Sequence, residues 1–160
     1  MEAGDTPVLV HNCDPEIQDL GAMTSGSQQN IWSMSSRDKG LAFEEEMGFN
    51  NLPAGHKAFD HFEADTGTAI SLKAMDTGLK SFQNKGMLFQ RLKSAVDDAA
   101  NYNGDYRHPG VLDPANIANR VVYTIVRSGT LKDMHMEQMS RAVEYAQGRG
   151  VTLLFGATTG

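Results

Sequence analysis

The chain has 160 residues, 40% of them hydrophobic and 21% charged, with a formal net charge of −6. That length fits one domain around a single core, and the composition is not that of a disordered segment. The acidic balance excludes attraction of nucleic acid by the field of the whole molecule, so such a role needs a local basic surface. The single cysteine, Cys13, excludes an intramolecular disulfide. No apolar run is long enough to span a bilayer, and no stable membrane association of this domain is expected. The opening MEAGDTP lacks the basic start and apolar stretch of a signal peptide, so export would depend on sequence outside this chain.

Residues 1–28 are rich in Gly, Ser, Asp and Pro apart from PVLVHNC, and read as a mostly irregular lead-in. Order is expected from Gln29, giving a domain over 29–160. The stretch from Lys39 to Met47 reads as a helix ended by Gly48. NNLPAGH reads as a loop. HKAFDHFEA and TAISLKAM read as two strands joined by a turn at Asp65-Thr66-Gly67. Alternation puts Ala69, Ser71, Lys73 and Met75 on one face of the second strand, and Ile70, Leu72 and Ala74 on the other. Met87, Leu88, Leu92, Ala95, Val96 and Ala99 repeat at helical spacing and predict a long helix from about Leu79 to Tyr102. A proline-containing loop leads to VVYTIV, an apolar run suited to a buried strand. Met136, Met139, Val143 and Ala146 mark a helix closed by Gly148 or Gly150, and VTLLF is a final strand. The order helix, strand, strand, helix, strand, helix, strand predicts an α/β fold with a small mixed sheet flanked by helices.

The charges are segregated. Residues 42–65 carry Glu44, Glu45, Glu46, Asp60, Glu63 and Asp65 against the single base Lys57. Residues 66–96 carry Lys73, Lys80, Lys85, Arg91 and Lys93 against the single acid Asp76. The hairpin folds one block onto the other. Carboxylates that converge on a point bind hard divalent cations. A bound cation polarises a phosphoryl oxygen, and a neighbouring lysine stabilises charge on phosphorus or positions water. Ser71 and Lys73 share a strand face, Asp60 can reach it from the adjacent strand, and a glutamate of the preceding helix can complete the cluster. On the bland reading, Glu44 to Glu46 are a solvated helix face and Ser71 and Lys73 the wet side of an exposed strand. Lys80, Lys85, Arg91 and Lys93 either grip a phosphate backbone or are the exposed face of a helix. His61 reads as a surface or supporting residue, Trp32 as packing, and the Met-rich helix over 134–147 as core. Arg107 and His108 lie in a loop whose position the sequence leaves open.

AFDHFEADTGTAISLKAMDT resembles the hairpin of PD-(D/E)XK nucleases. More closely, it resembles the nuclease toxin domains at the C-termini of contact-dependent growth inhibition proteins and related polymorphic toxins. In that subgroup a serine stands two residues before the lysine, here Asp60…Ser71-Leu72-Lys73. A glycine and a Phe-Glu pair occur on the preceding helix, here KGLAFE, which points to Glu44, with Glu45 as second choice. A helix turns about 100° per residue, so the two cannot share a role. The resemblance covers residues 38–100, and EQMSRAVEYAQGRGVTLLF is similar to the ends of these domains. It implies a PD-(D/E)XK core and a divalent metal ion, Mg²⁺, Mn²⁺ or Zn²⁺, held by Glu44, Asp60 and Ser71, with Lys73 as the fourth catalytic residue. Serine in place of the usual acid removes one anionic ligand. Asp76 has the wrong strand parity to replace it.

TPVLVHNC resembles the last residues of an intein-like autoprocessing domain, with His11, Asn12 and Cys13 at the cleavage point. On that reading the toxin starts near Cys13. The resemblance implies a nuclease toxin that cleaves DNA in competing bacteria, or alternatively transfer RNA. It also implies delivery as part of a larger secreted or cell-surface protein, action in the target-cell cytoplasm, and a cognate immunity protein. Two alternatives differ in class: a non-catalytic α/β interaction domain, and a toxin of other chemistry. No His/Cys metal signature supports a deaminase.

Overall fold

The computed structural model describes residues 15–23, 30–84 and 86–159. The His11–Cys13 reading lies outside them, as does Lys85. Among the described residues, β1 (Ile17–Gly21), β2 (His61–Glu63), β3 (Thr68–Met75), β4 (Asn119–Arg127) and β5 (Val151–Thr158) form one sheet in the order β1-β5-β4-β3-β2. Only β2 is antiparallel to its neighbour. Three α-helices among the described residues accompany it: α1 (Ser36–Met47), α2 (Met87–Asn101) and α3 (Asp133–Gly148). The fold is α/β with a mixed sheet.

The β3–α2–β4 and β4–α3–β5 crossovers step the same way across the sheet, so crossovers of one hand put both helices on one face. There Leu88, Leu92, Val96, Met139, Ala142 and Ala146 meet Ala69, Val122, Val126, Leu153 and Phe155 in the larger core. The opposite face carries Ile70, Leu72, Tyr123 and Ile125, covered by Ala42 and Phe43 of α1 together with Ile31 and Trp32. The indole of Trp32 is buried and donates to Thr158 O at 3.2 Å, a packing role. Helix α1 begins where the Ser35 hydroxyl accepts the Asp38 N–H and ends at Gly48, whose φ of 73° is left-handed.

Two expectations need correction. The lead-in is not irregular throughout: Ile17, Gln18 and Asp19 pair with Phe155, Gly156 and Ala157, making an edge strand. IQDLG has no period-two pattern of its own, so only its partner makes it a strand. The helix expected over Leu79–Tyr102 is broken. Lys80–Gln83 form a short 3₁₀ turn, Gly86 takes φ 91°, and the α-helix starts at Met87. The apolar stripe was right from Leu88 onward, but Gly86 interrupts its N-terminal extension.

Candidate active site

Strand β2 is short because a side chain takes over its pairing. The Asp60 N–H donates to Ile70 O at 2.9 Å, continuing the ladder by one bond. The next donor of β3, the Leu72 N–H, goes to Asp60 Oδ2 at 2.8 Å. From this point the outer edge of β3 has no strand partner among the described residues. Ser71 and Lys73 lie at that uncovered end. Ser71 is 1% exposed and its Oγ has no hydrogen-bond partner among the described residues. Lys73 is half-buried.

Helix α1 packs on β3 and brings Glu44 to the same edge. Partial burial first, and then the charge of Asp60, push the Glu44 carboxyl up to about 7, against the opposing charge of Lys73. Asp60 is also raised, by burial first, against the Leu72 N–H and the charges of Lys73 and His56. Glu44, Asp60 and Lys73 therefore sit within one another's fields. Glu45 and Glu46 point to solvent, so Glu44 is the glutamate that joins the cluster. Among the described residues no three His, Cys, Asp or Glu side chains form a ready-made metal cage. The cluster does fit a hard divalent cation that takes its other ligands from water and phosphate: two mutually repelling carboxylates and a buried, unpartnered hydroxyl are all oxygen donors.

Other candidates are placed differently. Asp76 pairs with Arg127 Nη1 at 3.3 Å and accepts the Gly78 N–H, away from the cluster. Glu63 and Asp65 are exposed at the hairpin turn. His61 is not a surface residue. It is 7% exposed, bonded to Glu63 Oε2 at 2.6 Å through Nε2, and its Nδ1 accepts the Asn51 N–H. Lys93 is engaged by Asp97 at 3.3 Å and lies over the Tyr145 ring, whereas Lys80 and Arg91 are exposed.

The loop with Arg107 and His108 docks beside the residues leading to Asp60. Asp105 is the clasp: it accepts the N–H groups of Lys57 and Arg107 and bonds His108 Nδ1 at 2.9 Å. The His108 bond first, then the Lys57 N–H, hold its carboxyl well below the usual range. Sequence reasoning missed Asp105 and His56, which are separated from each other in the chain and lack a motif. The available signal was the clustering of His56, Asp105 and His108 in two Gly- and Pro-containing loops.

A family model described as the CDI toxin restriction endonuclease-like domain matches residues 39–155. The chain belongs to this family. The match takes in α1 from Lys39 onward and the β2–β3 hairpin, with Glu44, Asp60, Ser71 and Lys73 inside it. Two curated relatives of this CDI toxin domain are deoxyribonuclease CdiA-o11 of Escherichia coli O157:H7 (strain EC869), and deoxyribonuclease CdiA of Yersinia pseudotuberculosis serotype O:3 (strain YPIII). The first is 28% identical over 127 residues and the second 25% over 126, each match covering 75% of this chain. The aligned region spans 33% of the first relative and 12% of the second. In the solved CdiA-CT/CdiI toxin and immunity complex from Yersinia pseudotuberculosis, a chain superposes with TM-score 0.61 at 22% identity. It covers 78% of this chain and 98% of that one, a likeness of fold.

Proposed function

We propose that this domain is a metal-dependent endonuclease that cleaves DNA in competing bacteria. The observation that carries the reading is the convergence of Glu44, Asp60 and Lys73 at the open edge of β3, where an unpartnered Ser71 hydroxyl is also buried. The names of both curated relatives, deoxyribonucleases, favour DNA over transfer RNA.

Glu44 and Asp60 would hold the divalent ion, and Ser71 would add a neutral oxygen donor or orient a water. When bound, the cation supplies Lewis acidity at a phosphoryl oxygen and makes its water more acidic. Asp60 is fixed for this by the Leu72 N–H, which leaves its remaining lone pairs directed outward. Lys73 brings an ammonium to the phosphate oxygens, where negative charge builds in the transition state. The donor set admits Mg²⁺, Mn²⁺ or Zn²⁺, and serine in place of a third acid leaves the ion with one anionic ligand fewer.

The larger size of the relatives supports delivery of this domain as part of a longer secreted or cell-surface protein, with action in the cytoplasm of the target cell. The toxin and immunity complex of the structural relative supports a cognate immunity protein here; acidic groups on such a partner would complement the Lys73 edge. No described helix is long and apolar enough to cross a membrane.

The test incubates the purified domain with plasmid and with total tRNA, with and without EDTA. DNA cleavage that is lost in EDTA and in Lys73→Ala is expected. Cleavage of tRNA alone overturns the substrate, and cleavage that persists in EDTA overturns the metal.

A further inference from the structure

Asp60 reaches the sheet edge just after a reversal of the chain at Ala58, whose φ of 67° is left-handed. Ala58 is the one non-glycine residue among those described with a positive φ. That conformation is disfavoured for a residue with a Cβ, which crowds the carbonyl that follows. Across Ala58 the Phe59 N–H donates to Lys57 O at 2.7 Å, closing a three-residue turn in its rare and strained form. Such strain persists only where the surroundings impose it. Here they do so from both sides. The Lys57 carbonyl also accepts from His56 Nδ1 at 3.0 Å. The Lys57 N–H donates to Asp105 Oδ2 at 2.8 Å, and the Asp105 side chain is 1% exposed. A hydrogen bond to a carboxylate is stronger than one to a neutral oxygen. On the far side of Ala58, Phe59 is fully buried against Tyr102, with ring centroids 5.3 Å apart. Asp60 comes next, its N–H on Ile70 O and its Oδ2 under the Leu72 N–H.

We propose that Asp105 is a positioning residue of the nuclease centre: by holding the Lys57 N–H it keeps the strained turn at Ala58 closed, and the turn aims the Asp60 carboxylate. Asp60 lies two residues beyond Ala58, a lever of roughly 6–7 Å, so a rotation of about 10° at the turn moves it by about 1 Å. A displacement of that size is enough to cost a large factor in rate. Asp105 itself is secured from its own loop, where its Oδ1 accepts the Arg107 N–H and its Oδ2 bonds His108 Nδ1. The turn therefore takes its shape from a loop some fifty residues away in the chain. This inference rests on the reading of Asp60 as a member of the catalytic centre.

The experiment compares Asp105→Ala, Ala58→Gly, the double variant of these two, and Asp60→Asn with the parent domain. It reads duplex-oligonucleotide cleavage with Mn²⁺, melting temperature, and amide hydrogen exchange of the metal-free protein. Asp105→Ala is expected to lower kcat about tenfold or more. Without metal, the same variant exchanges the Leu72 amide, whose acceptor is Asp60 Oδ2, about tenfold faster relative to the amides of β4. Ala58→Gly raises the melting temperature, whereas the same change at an ordinary φ lowers it. Added to Asp105→Ala, it recovers several-fold of the lost kcat, because glycine keeps a positive φ without help. Parent kcat in Asp105→Ala overturns the inference. So does Leu72 exchange that rises no more than that of β4, a lower melting temperature for Ala58→Gly, or a double variant no better than Asp105→Ala. If Asp105→Ala does not fold, Asp105→Asn, which keeps one of the two acceptor oxygens, is read in its place with and without Ala58→Gly. An Asp60→Asn variant that cleaves at the parent rate sinks the catalytic centre itself. An inactive Asp60→Asn beside a fully active Asp105→Ala sinks only the role of Asp105.

Discussion

At the residue scale, Glu44 would set the pH conditions of the proposed centre. Its carboxyl is raised from 4.5 to about 7 by burial and by Asp60. Between those two values the folded chain binds a proton that the unfolded chain releases, so this group favours folding at low pH and loses that contribution as pH rises through 7. In EDTA, Glu44→Gln should therefore raise the melting temperature at pH 8 by a few degrees and change it little at pH 5, as differential scanning calorimetry would read. Cation binding requires the carboxylate, so divalent affinity should climb between pH 6 and 8 with proton release, and that dependence should flatten in the glutamine variant. Titration calorimetry in buffers of different ionisation enthalpy checks it. Lys73→Ala should lower cleavage roughly 10²–10³-fold without unfolding the chain, since one preorganised charge-stabilising donor is worth that much. Circular dichroism should show the parent fold; a loss of rate smaller than tenfold would remove Lys73 from the centre.

At the element scale, β3 is the organising strand. It is the site's floor, the partner of β2 and β4, and the seam between two cores. Its period-two pattern was legible, as were VVYTIV and VTLLF, because strands within a two-faced sheet are apolar almost throughout. The shortness of β2 was not legible, since it follows from a single contact between Asp60 and the Leu72 N–H. Nor was β1, whose existence depends on β5. There Gly156 permits a close approach: a Cβ at this position would lie 2.6 Å from Tyr123 Oη and 2.7 Å from Leu20 Cδ1. Gly156→Ala should push β1 outward, destabilise the fold by about 1–3 kcal/mol, and speed amide exchange over residues 17–21 well beyond that in α2. Uniform exchange across the chain would show that β1 is not separately seated.

At the scale of the whole molecule, the net charge of −6 means that the proposed DNA substrate would be held only through a restricted cationic face. Arg91 is exposed on α2, whereas Lys93 is already paired with Asp97. Arg91→Ala should thus weaken DNA binding and reduce the slope of log affinity against log salt by about 1, while Lys93→Ala leaves the slope unchanged. Fluorescence anisotropy over a salt series reads both, and equal slopes for the two variants would remove α2 from the interface.

The sequence by itself determined the α/β class and the hairpin, because strand alternation and helical spacing are local, and it offered Asp60, Ser71 and Lys73 as candidates because they occupy one hairpin. Tertiary structure decided that Glu44, rather than Glu45, faces them, since that depends on how α1 is rotated by burying Ala42 and Phe43 against Ile70 and Leu72. It also decided that His56 and Asp105 belong beside the site. Two loops from distant parts of the chain meet there through hydrogen bonds and ring contacts, and such contacts leave no period in the sequence.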